Sequence, residues 1–140
     1  MSFNKILDVA ATGMTAQRLR VQLISANVAN SETTRTPNGG PYVKKDAVFQ
    51  IRPMGETVDG MPLVGVQVPF IHDSNDPFIY KYEPGHPDAN EDGMVVYPNV
   101  EPIQEVVNLT EAARSFDANV NIVRAVRQMG QSALDMLRTQ

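Results

Sequence analysis

The residues best suited to chemistry stand in one loop, Asp88-x-Asn90-x-Asp92-Gly93. Side-chain oxygens at alternate positions, closed by a glycine, form the opening half of an EF-hand calcium loop. The second half does not follow. Asn99 occupies the position that needs a bidentate glutamate, and a Pro-rich stretch and a strand replace the flanking helices. His86 near Asp88, and His72 near Asp73 and Asp76, bring imidazoles close to carboxylates. The chain has 2 histidines, both in polar turns, and no third ligand at a metal-site spacing. It has no cysteine, which excludes disulfides, thiol nucleophiles and thiolate metal sites. No Gly-rich phosphate loop joins a strand to a helix, and no Gly-x-Ser-x-Gly turn is present. These residues predict no catalytic group, no cofactor and no resident metal. An alternative of another class is a soluble calcium- or metal-dependent binding module using the Pro84–Gly93 loop.

The elements that would position such residues are dominated by the two ends of the chain. Phe3, Leu7, Ala10, Met14, Gln17, Val21, Ile24 and Val28 step alternately by four and three, the spacing of an apolar seam along a helix. Only Gln17 is polar, and Gly13 leaves a flat spot for a close neighbour. The run stops at Asn30, a residue suited to ending a helix. At the other end Val106, Leu109, Ala113, Phe116, Val120 and Val123 repeat the pattern, which falters at Arg127 and Gly130 and resumes at Leu134 and Leu137. A second stripe of Ile122, Val126, Met129, Ala133 and Met136 runs beside it. Asn99 is expected to cap this helix, with Pro102 in its first turn, where a missing N–H is tolerated. A long single-seamed helix is marginal alone. The two ends are therefore expected to pair, leaving one stripe for other subunits, and residues 1–30 to be disordered in dilute solution and fold on assembly.

Between them the composition turns irregular. Residues 31–41 are rich in turn formers and read as a mobile connection. Tyr42–Arg52, the alternating Val64, Val66 and Val68, Phe78–Tyr82 and Met94–Tyr97 read as short strands separated by Pro and Gly. The fold class is thus α+β, mainly α: two long terminal helices paired as a coiled-coil-like bundle around a small β-rich, loop-rich insert. The expected division is residues 1–35, 36–98 and 99–140. The overall charge of −4 is mild and argues against a nucleic-acid partner. No apolar run approaches the ~20 residues that span a bilayer. The start, with Lys5 followed closely by Asp8, lacks the features of a cleavable signal peptide.

Four blocks carry a resemblance. Asn27-Val28-Ala29-Asn30-Ser31-x-Thr33-Thr34 is similar to the N-terminal signature of bacterial flagellar rod, hook and related axial proteins. Thr34-Arg35-Thr36-Pro37-x-Gly39-Gly40-Pro41-Tyr42 resembles the version found in the proximal rod. So does Tyr82-x-Pro84-Gly85-His86-Pro87-Asp88-Ala89 with Gly93 and Pro98-Asn99-Val100 behind it. The last is Ala113-Arg114-Ser115-Phe116-x-Ala118-Asn119-Val120. The resemblance spans nearly the whole chain in order. It implies a structural subunit, not an enzyme, made in the cytoplasm and exported by the flagellar type III apparatus without a cleaved signal. Such a subunit assembles helically into the basal-body rod that crosses the periplasm. Its partners would be other copies, other rod proteins and the adaptor at the rod base, without membrane insertion. The residues expected to carry assembly are Phe3, Leu7, Met14, Val21, Ile24, Asn27, Val28 and Asn30 at one end. At the other they are Val106, Leu109, Phe116, Asn119, Val120, Val123, Val126, Met129, Leu134 and Leu137.

Overall fold

The computed structural model describes residues 3–58 and 61–138, and the side chains of residues 3, 56–58 and 61 lie outside that description. Two long helices enclose a strand-bearing insert, an α+β architecture that is mainly helical. Helix α1 spans Phe3–Ala29 and α2 spans Pro102–Arg138. At 27 and 37 residues they are about 40 and 55 Å long. No described helix is long and apolar enough to cross a membrane.

The ends of the helices follow local chemistry. The backbone N–H and the side-chain Nδ2 of Asn30 both donate to the Ala26 carbonyl, closing the last turn of α1. At α2, Pro102 is the first helical residue, where its fixed φ suits the helix and no N–H is needed. Glu101 therefore precedes the helix, and its carbonyl accepts the first bond, from the Glu105 N–H. The expectation that Asn99 caps α2 is overturned: its side chain is used elsewhere, in the cluster described below.

Among the described residues the insert contributes six strands: β1 (Lys45–Ala47), β2 (Gln50–Val58), β3 (Met61–Gln67), β4 (Ile71–Asp73), β5 (Ile79–Tyr82) and β6 (Met94–Tyr97). They form three antiparallel two-stranded ribbons rather than one sheet, pairing β1 with β4, β2 with β3 and β5 with β6. The stretch read as one strand over Tyr42–Arg52 is two, broken at Val48–Phe49, and β4 went unread because its three residues carry no alternation. Two-stranded ribbons are marginal alone, so each depends on what it leans against.

The chain forms two compact units. The first combines residues 1–19, 48–69 and 111–140, and the second 20–47 and 70–110. Each holds a stretch of both helices and part of the insert. In the first, Gly65 of β3 lies on α1 so closely that a Cβ would fall 2.7 Å from the Thr12 Oγ1. That hydroxyl accepts from the Val66 N–H at 3.0 Å and donates to the Val9 carbonyl at 2.7 Å, stitching the ribbon to the helix.

Candidate assembly interface

On α1 the inward side is the expected apolar one, whereas on α2 it is turned slightly from the line of apolar residues. On α2, Asn108, Ser115 and Val120 are half-buried beside a line of buried or half-buried positions: Glu105, Leu109, Ala112, Phe116, Asn119, Val123, Val126, Gly130 and Ala133. The positions of this line step by four and three throughout, the regularity of a seam. This line shares Leu109, Phe116 and Val123 with the expected one. It substitutes Glu105 for Val106 and Ala112 for Ala113, while Asn119 and Val120 are both half-buried, so the seam is turned slightly around the axis. Val106 is exposed, and Val120 is half-buried on the flank. The reason is steric. Gly13 of α1 sits so close to α2 that a Cβ there would meet the Asn119 Nδ2 at 3.1 Å. Where backbones approach this closely, small or hydrogen-bonded residues fit better than bulky ones.

On α1, Ala10, Ala16, Ile24 and Asn27 are buried, and Leu7, Met14, Val21, Val28 and Asn30 are half-buried. The side chain of Phe3 lies outside the described residues. The exposed line of this helix is Asn4, Asp8, Ala11, Thr15, Arg18, Gln22, Ser25 and Ala29, all polar or small. Gln17, the one polar residue of the expected seam, keeps its Oε1 buried with no hydrogen-bond partner among the described residues. In the first unit Ala11, Met14, Thr15 and Arg18 line a groove of about 270 Å³ with Phe116 of α2.

The exposed face of α2 contrasts with that of α1. Beyond Val126 the apolar side chains come to the surface: Met129, Leu134, Met136 and Leu137, the last 74% exposed. In the second unit Ile103, Val106 and Val107 are likewise exposed near the start of the helix. Valine, leucine and methionine at this density on a charged helix mark a surface made to be covered.

The second unit is held by polar groups. Asn27 is 0% exposed, and its amide uses every bond it can make. Its Oδ1 accepts from the Lys45 N–H and the Tyr42 hydroxyl, both at 3.0 Å, and its Nδ2 donates to the Lys45 carbonyl at 2.9 Å and to Glu105 Oε2 at 3.1 Å. Glu105, 1% exposed, receives the Lys44 ammonium on its other oxygen at 3.1 Å. Asn99 continues the pattern. Its Oδ1 accepts from the Lys44 N–H at 2.8 Å, and its Nδ2 donates to the carbonyls of Ser74 and Asp76. Burial pushes the Lys44 ammonium down, but its hydrogen bond to Glu105, with the nearby Asp46 and Asp76, outweighs that and holds its pKa above the ordinary value. Burial likewise raises the Tyr42 hydroxyl, against a smaller opposing effect of Lys45. Of this cluster the sequence singled out Asn27 and, for a different role, Asn99. Lys44, Tyr42 and Glu105 gave no signal, because a Lys and a Glu 61 positions apart pair only when the chain is folded.

The Asp88 loop is also structural. Asp88 Oδ2 accepts from the Thr34 hydroxyl at 2.8 Å and Oδ1 lies 3.8 Å from the Arg35 guanidinium. These bonds tie down the 31–41 segment, whose turn at Gly39 and Gly40 takes left-handed φ values of 82° and 77°. Asn90 Oδ1 accepts from the backbone N–H groups of Asp92 and Met94, an ordinary Asx turn. Gly93 also has a left-handed φ, 74°. Among the described residues no group of three or more His, Cys, Asp or Glu is arranged to hold a metal ion.

Known proteins match this chain in sequence along nearly its whole length. Residues 7–35 match the family model of the flagella basal body rod protein, and residues 91–136 that of the flagellar basal body rod FlgEFG protein C-terminal region. The flagellar basal-body rod protein FlgC of Borreliella burgdorferi is 37% identical, covering 94% of this chain and 95% of its own. That of Bacillus subtilis is 37% identical over 93% of this chain and 95% of its own. That of Salmonella typhimurium is 35% identical over 92% and 93%. Two seamed helices, a polar clamp at their junction with the insert and relatives aligned over nearly their full length lead to one family: the chain belongs to the flagellar basal-body rod proteins of the FlgC type.

Proposed function

We propose that this chain is a proximal rod subunit that acts only as structure, assembling helically through its terminal helices after type III export. The observation that carries the reading is the exposed apolar face of α2, from Met129 to Leu137. One chain carries this face and a groove on the Ala11–Arg18 side of α1, and the two are different surfaces. Contacts between unlike surfaces of identical copies generate open helical filaments wherever the rotation between copies does not close a ring. The assembly surface comprises Leu7, Met14, Val21, Ile24 and Val28 of α1 and Val106, Leu109, Phe116, Val120, Val123, Val126, Met129, Leu134 and Leu137 of α2. Residues 1–35 and 99–140 carry it, and residues 36–98 form the outer insert. The partners are further copies, other rod subunits and the adaptor at the rod base, with the export apparatus as a transient one.

The test separates assembly from export. Ile24→Asp or Val126→Asp places a carboxylate at a buried seam position, which costs several kcal/mol unless the group protonates. In cells lacking their own copy, both variants should be exported, since export handles unfolded chains, yet be absent from purified basal bodies, and the cells should not swim. Glu91→Ala, at an exposed loop position, should restore swimming. Normal basal bodies containing both seam variants would rule out assembly through the terminal helices.

A further inference from the structure

The seam of α2 is apolar or small at Leu109, Ala112, Phe116, Val123 and Val126, and that of α1 at Ala10, Gly13 and Ile24. Apolar seams of this kind pack nearly as well one heptad up or down, because every seventh residue presents similar bulk. A slip of seven residues would slide one helix by about 10 Å. The second unit contains one arrangement that does not tolerate such a slip. Glu105 is buried in the seam of α2, and both of its oxygens are committed, one to Asn27 at 3.1 Å and the other to Lys44 at 3.1 Å and Asn108 at 3.3 Å. Asn27 reads both the N–H and the C=O of Lys45, which fixes where the chain entering β1 lies against the end of α1. Moved by a heptad, Glu105 would leave Asn27 and Lys44 behind and become a buried charge without a partner.

We propose that Asn27, Lys44 and Glu105 form a polar latch that selects one register of α1 against α2. Its contribution is the choice among packings rather than added stability, since buried ion pairs are weak stabilisers compared with apolar groups of the same size. A polar residue at a single seam position sets register in this way in coiled coils. Lys44 makes this latch unusual, because its countercharge comes from the loop before β1 and not from either helix. The helices thus reach their register only when residues 42–47 are in place. The inference rests on contacts within one chain and is independent of the rod role.

The chain has no cysteine, so spin labels can be placed at Ser25→Cys and Thr110→Cys, exposed positions of the two helices within the second unit. Pulsed dipolar spectroscopy of the purified full chain should give a single narrow distance. In the Asn27→Leu/Lys44→Met/Glu105→Met variant the distribution should split, with a component displaced by about 10 Å, while helix content by circular dichroism is kept. One unchanged narrow distance in that variant overturns the latch, as does a broad distribution in the labelled parent. If the triple variant loses its helix content, Asn27→Ala/Glu105→Gln decides, because it adds no bulk and removes both the Asn27 bonds and the buried charge that opposes a slip. Broadening there supports the latch, and an unchanged distance refutes it.

Discussion

A glutamate held at 1% exposure on a long helix is tolerable because three side chains face it: Lys44, Asn27 and Asn108. Removing the cation alone leaves the carboxylate buried and uncompensated. Lys44→Met should therefore lower unfolding free energy by about 3 kcal/mol or more, read from urea denaturation at neutral pH. A loss below ~0.5 kcal/mol, typical of a surface change, would show that water already solvates Glu105. The same cluster sets a pH response. The Lys44 and Tyr42 pKa values are both raised in the folded chain from ordinary values of 10.5 and 10.0. A raised folded value means that the folded chain binds the proton more tightly. The stability linked to these groups is therefore complete below pH 10 and is lost as pH rises through the folded values. Denaturation midpoints should be level from pH 8 to 9.5 and fall above about 10, with a shallower fall in Lys44→Met. An equally steep fall in that variant would place the titrating groups elsewhere.

At the scale of elements, the inward line of α2 mixes small and polar residues, Glu105, Ala112 and Asn119, with Leu109, Phe116, Val123 and Val126, and further aliphatic residues stay on its surface. A periodicity judged on apolar size alone picks Val106, Ala113 and Val120. The folded helix instead buries Glu105 and Ala112, with Asn119 packed over Gly13 of α1 and Lys44 neutralising the carboxylate. The Pro84–Gly93 loop is explained by the same local logic. Asp88 binds Thr34 and Arg35, and Asn90 binds its own backbone, so two of the three side chains that resemble calcium ligands already have partners within the chain. Millimolar calcium should leave the melting temperature unchanged. A bound ion at a hundredfold excess over its dissociation constant would add about 2.7 kcal/mol, and a rise reversed by chelator would restore the binding-module reading.

For the whole molecule, the two units differ in what holds their share of α1. In the second, Asn27 is fixed by four side-chain bonds. In the first, the helix relies on a thin apolar seam with alanines at Ala10 and Ala16 and a glycine at Gly13. The expectation that all of residues 1–30 fold only on assembly is narrowed accordingly. Hydrogen exchange in the dilute protein should be slow at Ile24–Asn30 and fast at Leu7–Gly13. Uniformly slow exchange along α1 would mean that the helix is stable without neighbouring subunits. Slow exchange confined to the second unit would mark the part of the fold that precedes assembly.

The sequence by itself determined the two long helices, because a three-four periodicity sustained over many turns has no other stable reading. It also determined the β character of the insert, through Val64, Val66 and Val68, and the family, through blocks such as Asn27–Thr34 and Tyr82–Ala89. Those blocks identify the family without saying what the residues in them do. Tertiary structure alone decided which side of α2 faces inward, since that depends on a glycine in another helix and a lysine in a loop. It also decided that Asn99 grips Lys44, Ser74 and Asp76 instead of capping α2, and that Asp88 fastens the loop carrying Thr34 and Arg35. A side-chain oxygen can serve a cap, a metal or a distant backbone N–H equally well. Its choice is settled by which partner the folded chain brings within about 3 Å, and local sequence holds no record of that distance.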